Sequence, residues 1–179
     1  MNHKLILAIG TIVFVYFLVT EFSIFYQPDK DKLSCMKNVS PWLYYDEVLK
    51  EKVNSVPFFI INSEVVKGYA KLEDFYRWLD NPIGIPRYDL YNSEIDIGLG
   101  NKDAAVWVIE FSTPECKYCK DFHKYNFKSI KEKYIDTGKV FWIIKPIPVF
   151  KTEKEYQKIK EVLCSRDNVY KILEKVYQW

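Results

Sequence analysis

The stretch AAVWVIEFSTPECKYCKDFHKYNFKSIKEKY, Ala104–Tyr134, decides how this chain is read. Ala104 to Phe111 is a run of apolar and β-branched residues long enough for a buried strand. Ser112 to Glu115 reads as a short loop. Cys116-Lys117-Tyr118-Cys119 follows, and then a helical pattern that ends near Thr137-Gly138. Strand, loop, C-x-x-C and helix is the arrangement that thiol–disulfide exchange needs. The first cysteine sits at a helix N-terminus, where unpaired N–H groups and the macrodipole favour a thiolate. The second, one turn on, is placed to close or resolve a disulfide. A purely structural C-x-x-C is the alternative.

Working outward, the 179 residues suggest one domain of about 150 residues with an appendage. Hydrophobic residues make up 49% and aromatics 17%, enough to fill a core. The net charge of +2, with no basic block interleaved with aromatics, disfavours nucleic acid as a partner. Four cysteines are too few for a disulfide scaffold and suit one active pair plus one structural pair. One C-x-x-C with two isolated cysteines is a poor zinc pattern, so no metal is expected. The dithiol carries its own chemistry, and no cofactor is expected.

Upstream, Leu5 to Thr20 is an uncharged run interrupted by Glu21 and continued by Phe22 to Tyr26. Residues 1–27 read as a transmembrane anchor, with residues 5–26 in the lipid bilayer and Glu21 near one interface. A cleaved signal peptide competes, but no small-x-small site lies between Tyr16 and Pro28. Either reading puts the rest outside the cytoplasm, where disulfides persist. A charged tether spans 28–34. Ser40-Pro41 predicts a helix start, with Trp42, Tyr45, Val48 and Leu49 on one face. Val56 to Ile61 and Glu64 to Lys67 read as strands around an Asn62-Ser63 turn, and Lys71 to Leu79 as a helix. Residues 81–103, rich in Pro and Gly, read as a linker with a short strand near Tyr88 to Tyr91. Past the dithiol helix, Lys139 to Ile144 predicts a strand closed by Lys145 to Pro148. Thr152 and Glu155 predict a capping box, and Val169 onward a last helix.

Gly100 to Ala104, Val108 to Phe111, Cys116 to Cys119 and Tyr134 to Val140 together resemble the DsbA-like branch of the thioredoxin superfamily. Residues 97–179 resemble the first half of such a protein, including the start of its helical insertion. Asn54 to Asn62 resembles the family's cis-proline segment, and Val66 to Tyr69 its second hairpin strand, although Ser55, Phe58 and Ser63 replace the usual residues. The halves stand in reversed order. The resemblance thus implies an α/β thioredoxin-like fold with its halves permuted: a cis-proline half at 35–80, the linker, and a C-x-x-C half with helical insertion at 104–179. An unrelated membrane-proximal subdomain, or half-folds that complete each other between chains, are the competing readings.

The resemblance also implies roles. Cys116 is the nucleophile, Cys119 the resolving cysteine, Glu110 the buried acid that moves protons for it, and Pro57 the cis-proline. Val56 would pair with a substrate strand, beside Lys117 and Tyr118. Lys117 should favour the Cys116 thiolate, and Glu115 should oppose it. Cys35 and Cys164 fall beside the displaced termini, where a bond would staple them. His123 reads as a helix-surface residue, and Trp42, Trp78, Trp107 and Trp142 as core or groove. The function implied is that of a membrane-anchored thiol–disulfide oxidoreductase of the periplasm or another extracytoplasmic space. It would act on cysteine-containing proteins and be recharged by a membrane redox partner. A non-catalytic adaptor with the same fold, or a reductase dedicated to one client, remain the alternatives.

Overall fold

The computed structural model describes residues 30–165 and 169–177. Contacts divide the chain into two compact units, Met1–Lys37 and Asn38–Trp179. The described part of the first is the body of helix α1, Lys30–Asn38, so the chain is helical where a polar tether is expected. The expected membrane anchor lies outside the described residues. Among the described residues no helix is long and apolar enough to cross a membrane.

The second unit is built on a five-stranded sheet in the order β2-β1-β4-β5-β3. Strands β1, Phe58–Ile61, and β2, Glu64–Lys67, form the expected hairpin. Asn62 makes its turn in the left-handed region, at φ 51°, which asparagine tolerates better than most residues. Its side chain does more than turn the chain. Oδ1 accepts the Trp107 N–H at 2.8 Å, and Nδ2 donates to Gly84 and Ala105 carbonyls at 3.3 Å. The turn is thereby stitched to β4, Val106–Ser112, which pairs antiparallel with β1. β4 in turn runs parallel to β5, Val140–Pro146.

The edge strand β3, Ile97–Gly100, pairs antiparallel with β5. It lies inside the segment expected to be linker, and it corrects the strand expected at Tyr88 to Tyr91, where a single 3₁₀ turn, Tyr88–Leu90, occurs instead. The glycines that disguise β3 are required by packing. A side chain at Gly98 would strike the Phe141 ring at 2.2 Å, and one at Gly100 (φ +94°) the Val140 carbonyl at 2.5 Å.

All seven residues of β4 and of β5 are buried, because both faces of the sheet are covered. On one face, Phe59, Val108, Trp142 and Ile144 pack under α3, Leu72–Asp80, the dithiol helix and the last helix. On the other, Phe58, Trp107, Ile109, Phe141 and Ile143 pack under Tyr44, Leu90 and helix α5, Glu153–Leu163. The remaining helices before α5 are α2, Tyr45–Lys50, and α4, the dithiol helix over 117–135. α2 begins four residues later than Pro41 suggests, since Ser40 Oγ accepts the Trp42 N–H at 3.1 Å and caps a turn rather than a helix. The last helix is α6, Val169–Tyr177. This is a mixed α/β thioredoxin-like fold.

β5 runs two residues further than the sequence suggests, through Lys145-Pro146. Lys145 is fully buried on the face away from the dithiol, paired with Asp96 at 3.0 Å and Glu47 at 2.9 Å, with Tyr44's ring 4.5 Å from its ammonium. Such a charge is tolerated in a core only with partners of this kind.

Candidate active site: a dithiol under a cis-proline

Cys116 is the N-cap of α4, with extended backbone (φ −74°, ψ 126°), and its sulfur accepts the Cys119 N–H at 3.4 Å. The loop before it is held by a buried carboxylate. Glu155, near the start of α5, accepts N–H groups from Val149, Phe150 and Lys151 at 2.8–3.0 Å, and the Thr113 hydroxyl donates to it. The expected cap is present, since Thr152 Oγ1 accepts the Glu155 N–H at 3.1 Å. The carboxylate, however, satisfies the loop rather than its own N-cap. Thr113 in turn accepts the Cys116 N–H at 3.2 Å through its carbonyl.

Across the site stands the segment before β1. The Val56–Pro57 peptide is cis, and the Cys116 thiol lies 3.6 Å from the Val56 carbonyl oxygen. Residues sixty positions apart thus meet within one chain. Pro57's own carbonyl is occupied by Gly68 N–H at 2.8 Å, on the hairpin side. Tyr118, 60% exposed, and Lys117 form the outer rim.

The two sulfurs have opposite environments. Cys116 is pulled down to about 6 by the Cys119 thiol first, then by the backbone N–H groups of Cys119 and Tyr118 and by the Lys120 charge, against the effect of burial. Cys119 is fully buried and is pushed far up by desolvation, with the Cys116 and Glu110 charges adding to it. One ready nucleophile and one protected thiol is the division of labour that two-step exchange requires. Both are free thiols, and Cys35 and Cys164 are not.

The charges flanking the dithiol have partners of their own. Lys117 is solvent-exposed and ion-paired to Asp121 one turn on, while the Lys120 charge favours the Cys116 thiolate. Glu115 is held below the ordinary carboxylate range by Lys158 at 2.5 Å, with Lys154 at 3.7 Å, so its charge is largely answered.

Glu110 of β4 is fully buried, in keeping with its place between apolar neighbours on the strand. Its Oε2 accepts the Trp142 Nε1–H at 3.0 Å and its Oε1 lies 2.7 Å from His123 Nε2. The surface reading of His123 is therefore wrong: it is fully buried, with the Tyr177 ring stacked on it at 4.0 Å. The signal was available, because His123 is four residues past Cys119 and so shares its inward face. Tyr177, near the end of α6, completes this buried cluster. Its hydroxyl meets Ser112 Oγ at 2.7 Å, and burial pushes it well above the ordinary phenol. Of the tryptophans, Trp107 and Trp142 are core, while Trp42 is 37% exposed.

The fold and the site define a thioredoxin-like dithiol protein. Residues 92–178 match the thioredoxin family model. A 50-residue stretch is 42% identical to a protein of Rickettsia bellii and equally to one of Rickettsia prowazekii, both named, provisionally, as protein-disulfide oxidoreductases. It covers 28% of this chain and about a fifth of each relative, 19% and 18%. Among solved structures, the chain is similar to Wolbachia pipientis α-DsbA1, with 26% identity, a TM-score of 0.33, and coverage of 50% of this chain and 55% of that one. The family match takes in both cysteines of the C-x-x-C, and the chain spans about a fifth of the length of the curated relatives it matches.

Proposed function

We propose that this chain is an extracytoplasmic protein thiol–disulfide oxidoreductase, anchored by residues 5–26 and acting through Cys116-Lys117-Tyr118-Cys119 on cysteine-containing proteins. The observation that carries the reading is the low-lying Cys116 thiol facing the Val56 carbonyl across 3.6 Å, beside the cis-proline. A client strand laid against Val56 would bring its cysteine to the exposed side of Cys116. Cys116 thiolate attacks a client disulfide, and Cys119 then displaces the client from the mixed disulfide, leaving Cys116–Cys119 oxidised and the client reduced by two electrons. The reverse sequence oxidises a client dithiol. Lys117 and Tyr118, at the rim, would contact the client, and Glu110 would exchange the Cys119 proton. A membrane redox partner would reset the dithiol.

The permuted reading is part of the proposal. It is supported by β1, which follows Pro57, lying between its hairpin partner and the dithiol strand although it precedes that strand in sequence. A Cys35–Cys164 bond would staple the displaced termini and restrict the unfolded chain.

Insulin reduction and refolding of a reduced, disulfide-requiring protein test the activity. Wild type should support at least one and Cys116→Ser neither; a wild type inactive in both leaves the adaptor reading. Mass-spectrometric mapping of native disulfides should return Cys35–Cys164, and a crossed pattern would defeat the permuted reading. Protease protection of the C-terminal domain in spheroplasts tests the location.

A further inference from the structure

The buried acid of this site has a partner that the exchange chemistry itself does not require. Glu110 Oε1 and His123 Nε2 are 2.7 Å apart, and both side chains are fully buried. Trp142 Nε1–H donates to the other oxygen at 3.0 Å, so the carboxyl is fixed from both sides. The imidazole is fixed too: Tyr177 stacks on one face at 4.0 Å, and the Phe127 ring lies 4.8 Å away. Local structure supports the placement. α4 is α-helical over Lys117–Phe122 and widens into a π turn over His123–Phe127, starting at the histidine itself. Such widenings are uncommon in helices and often mark functional positions. The titratable groups around the pair are Cys116 and Cys119 on α4 and Tyr177 on α6, and the charge of Glu110 is felt by both Cys119 and Tyr177.

We infer that His123 is a positioning residue for proton exchange at Cys119, holding the Glu110 carboxylate oriented so that it accepts the thiol proton during resolution. The inference rests on the redox reading proposed above. In the step itself, the Cys119 S–H bond breaks and its proton passes to Glu110. The Cys119 electron pair attacks Cys116 Sγ, the Cys116–client sulfur bond breaks, and the client leaves as a thiolate that solvent protonates. In the opposite direction Glu110 returns the proton to Cys119 as it leaves. Without a donor at position 123, the carboxyl is held from the Trp142 side alone and is no longer fixed to take the thiol proton, which must then pass to hydroxide. Resolution would then slow at neutral pH and recover as pH rises.

Reaction of the reduced protein with 5,5′-dithiobis(2-nitrobenzoate) separates the steps. The first thionitrobenzoate reports attack by Cys116 and the second reports resolution by Cys119. His123→Phe, which keeps the ring stack, should leave the first release within about twofold and slow the second about tenfold or more at pH 7, with its pH profile moved upward. His123→Gln, which retains a donor, should restore part of the rate. Glu110→Gln should slow the second release as well, and adding His123→Phe to it should change that rate by less than about twofold. An unmoved second release in His123→Phe, or multiplicative losses in the double variant, would overturn the inference. If His123→Phe does not fold, Glu110→Gln decides, and an unmoved second release there also overturns it. A wild-type protein that releases no second equivalent would instead sink the redox reading underneath.

Discussion

Replacing Cys119 with alanine should disarm Cys116 without touching it. The Cys119 thiol is the largest influence holding Cys116 near 6 instead of the ordinary 9.0, ahead of the N–H groups and Lys120. At pH 7 a thiol at about 6 is about 90% thiolate, against about 1% at the ordinary value, so the wild-type sulfur is about 90-fold better ionised. The same ionisation stabilises the reduced protein at pH 7 by about 1.4 kcal/mol, equivalent to about 30 mV toward an oxidising potential for a two-electron couple. The assay is the pH dependence of iodoacetamide alkylation of Cys116, with thiolate absorbance as a second reading. Wild type should show a midpoint near 6, and Cys119→Ala should move it upward by a unit or more. Cys119 itself should not titrate in the accessible range, because burial holds it far above. Linkage sets the sign for stability. The folded value lies below the unfolded one, so the contribution of Cys116 is complete above about 9, and is lost as pH falls through about 6. A wild-type midpoint above about pH 8, or the same midpoint in Cys119→Ala, would refute the reasoning.

Other expectations follow from the buried polar groups. Glu155→Ala leaves three backbone N–H groups and the Thr113 hydroxyl without their acceptor, and should cost about 3 kcal/mol in urea unfolding, with Glu155→Gln costing less. Lys145→Met leaves buried Asp96 and half-buried Glu47 without their cation and should cost about 3–5 kcal/mol at neutral pH. That deficit should shrink on acidification, since burial raises Glu47 above the ordinary carboxylate range and its protonated form needs no counter-charge; a deficit constant with pH would contradict it. Phe59→Ala removes a ring packed against Phe75, Phe122 and Trp142 and should cost about 3–5 kcal/mol by denaturant midpoint. Lys117→Ala should leave the alkylation midpoint of Cys116 within a few tenths of a unit, because Lys117 is solvated and paired to Asp121; a larger shift would restore the cation role first expected of it.

The sequence by itself determined the local pieces. The buried run before Cys116, the C-x-x-C at a helix start, the Asn62-Ser63 hairpin and the Thr152 cap all follow from residue type and spacing over a few positions. Glu110 was legible as a candidate because a carboxylate between Ile109 and Phe111 demands a partner. Only the tertiary structure decided who the partners are. His123 and Trp142 come to Glu110 from other elements, Glu155 serves a loop forty residues upstream, and Lys145 is answered by Asp96 and Glu47. β3 was hidden because its glycines answer to the Phe141 ring and the Val140 carbonyl on a neighbouring strand, not to any propensity of their own. Propensity and periodicity act within one element, whereas the charge state and orientation of a buried group depend on whatever the fold brings within hydrogen-bond reach.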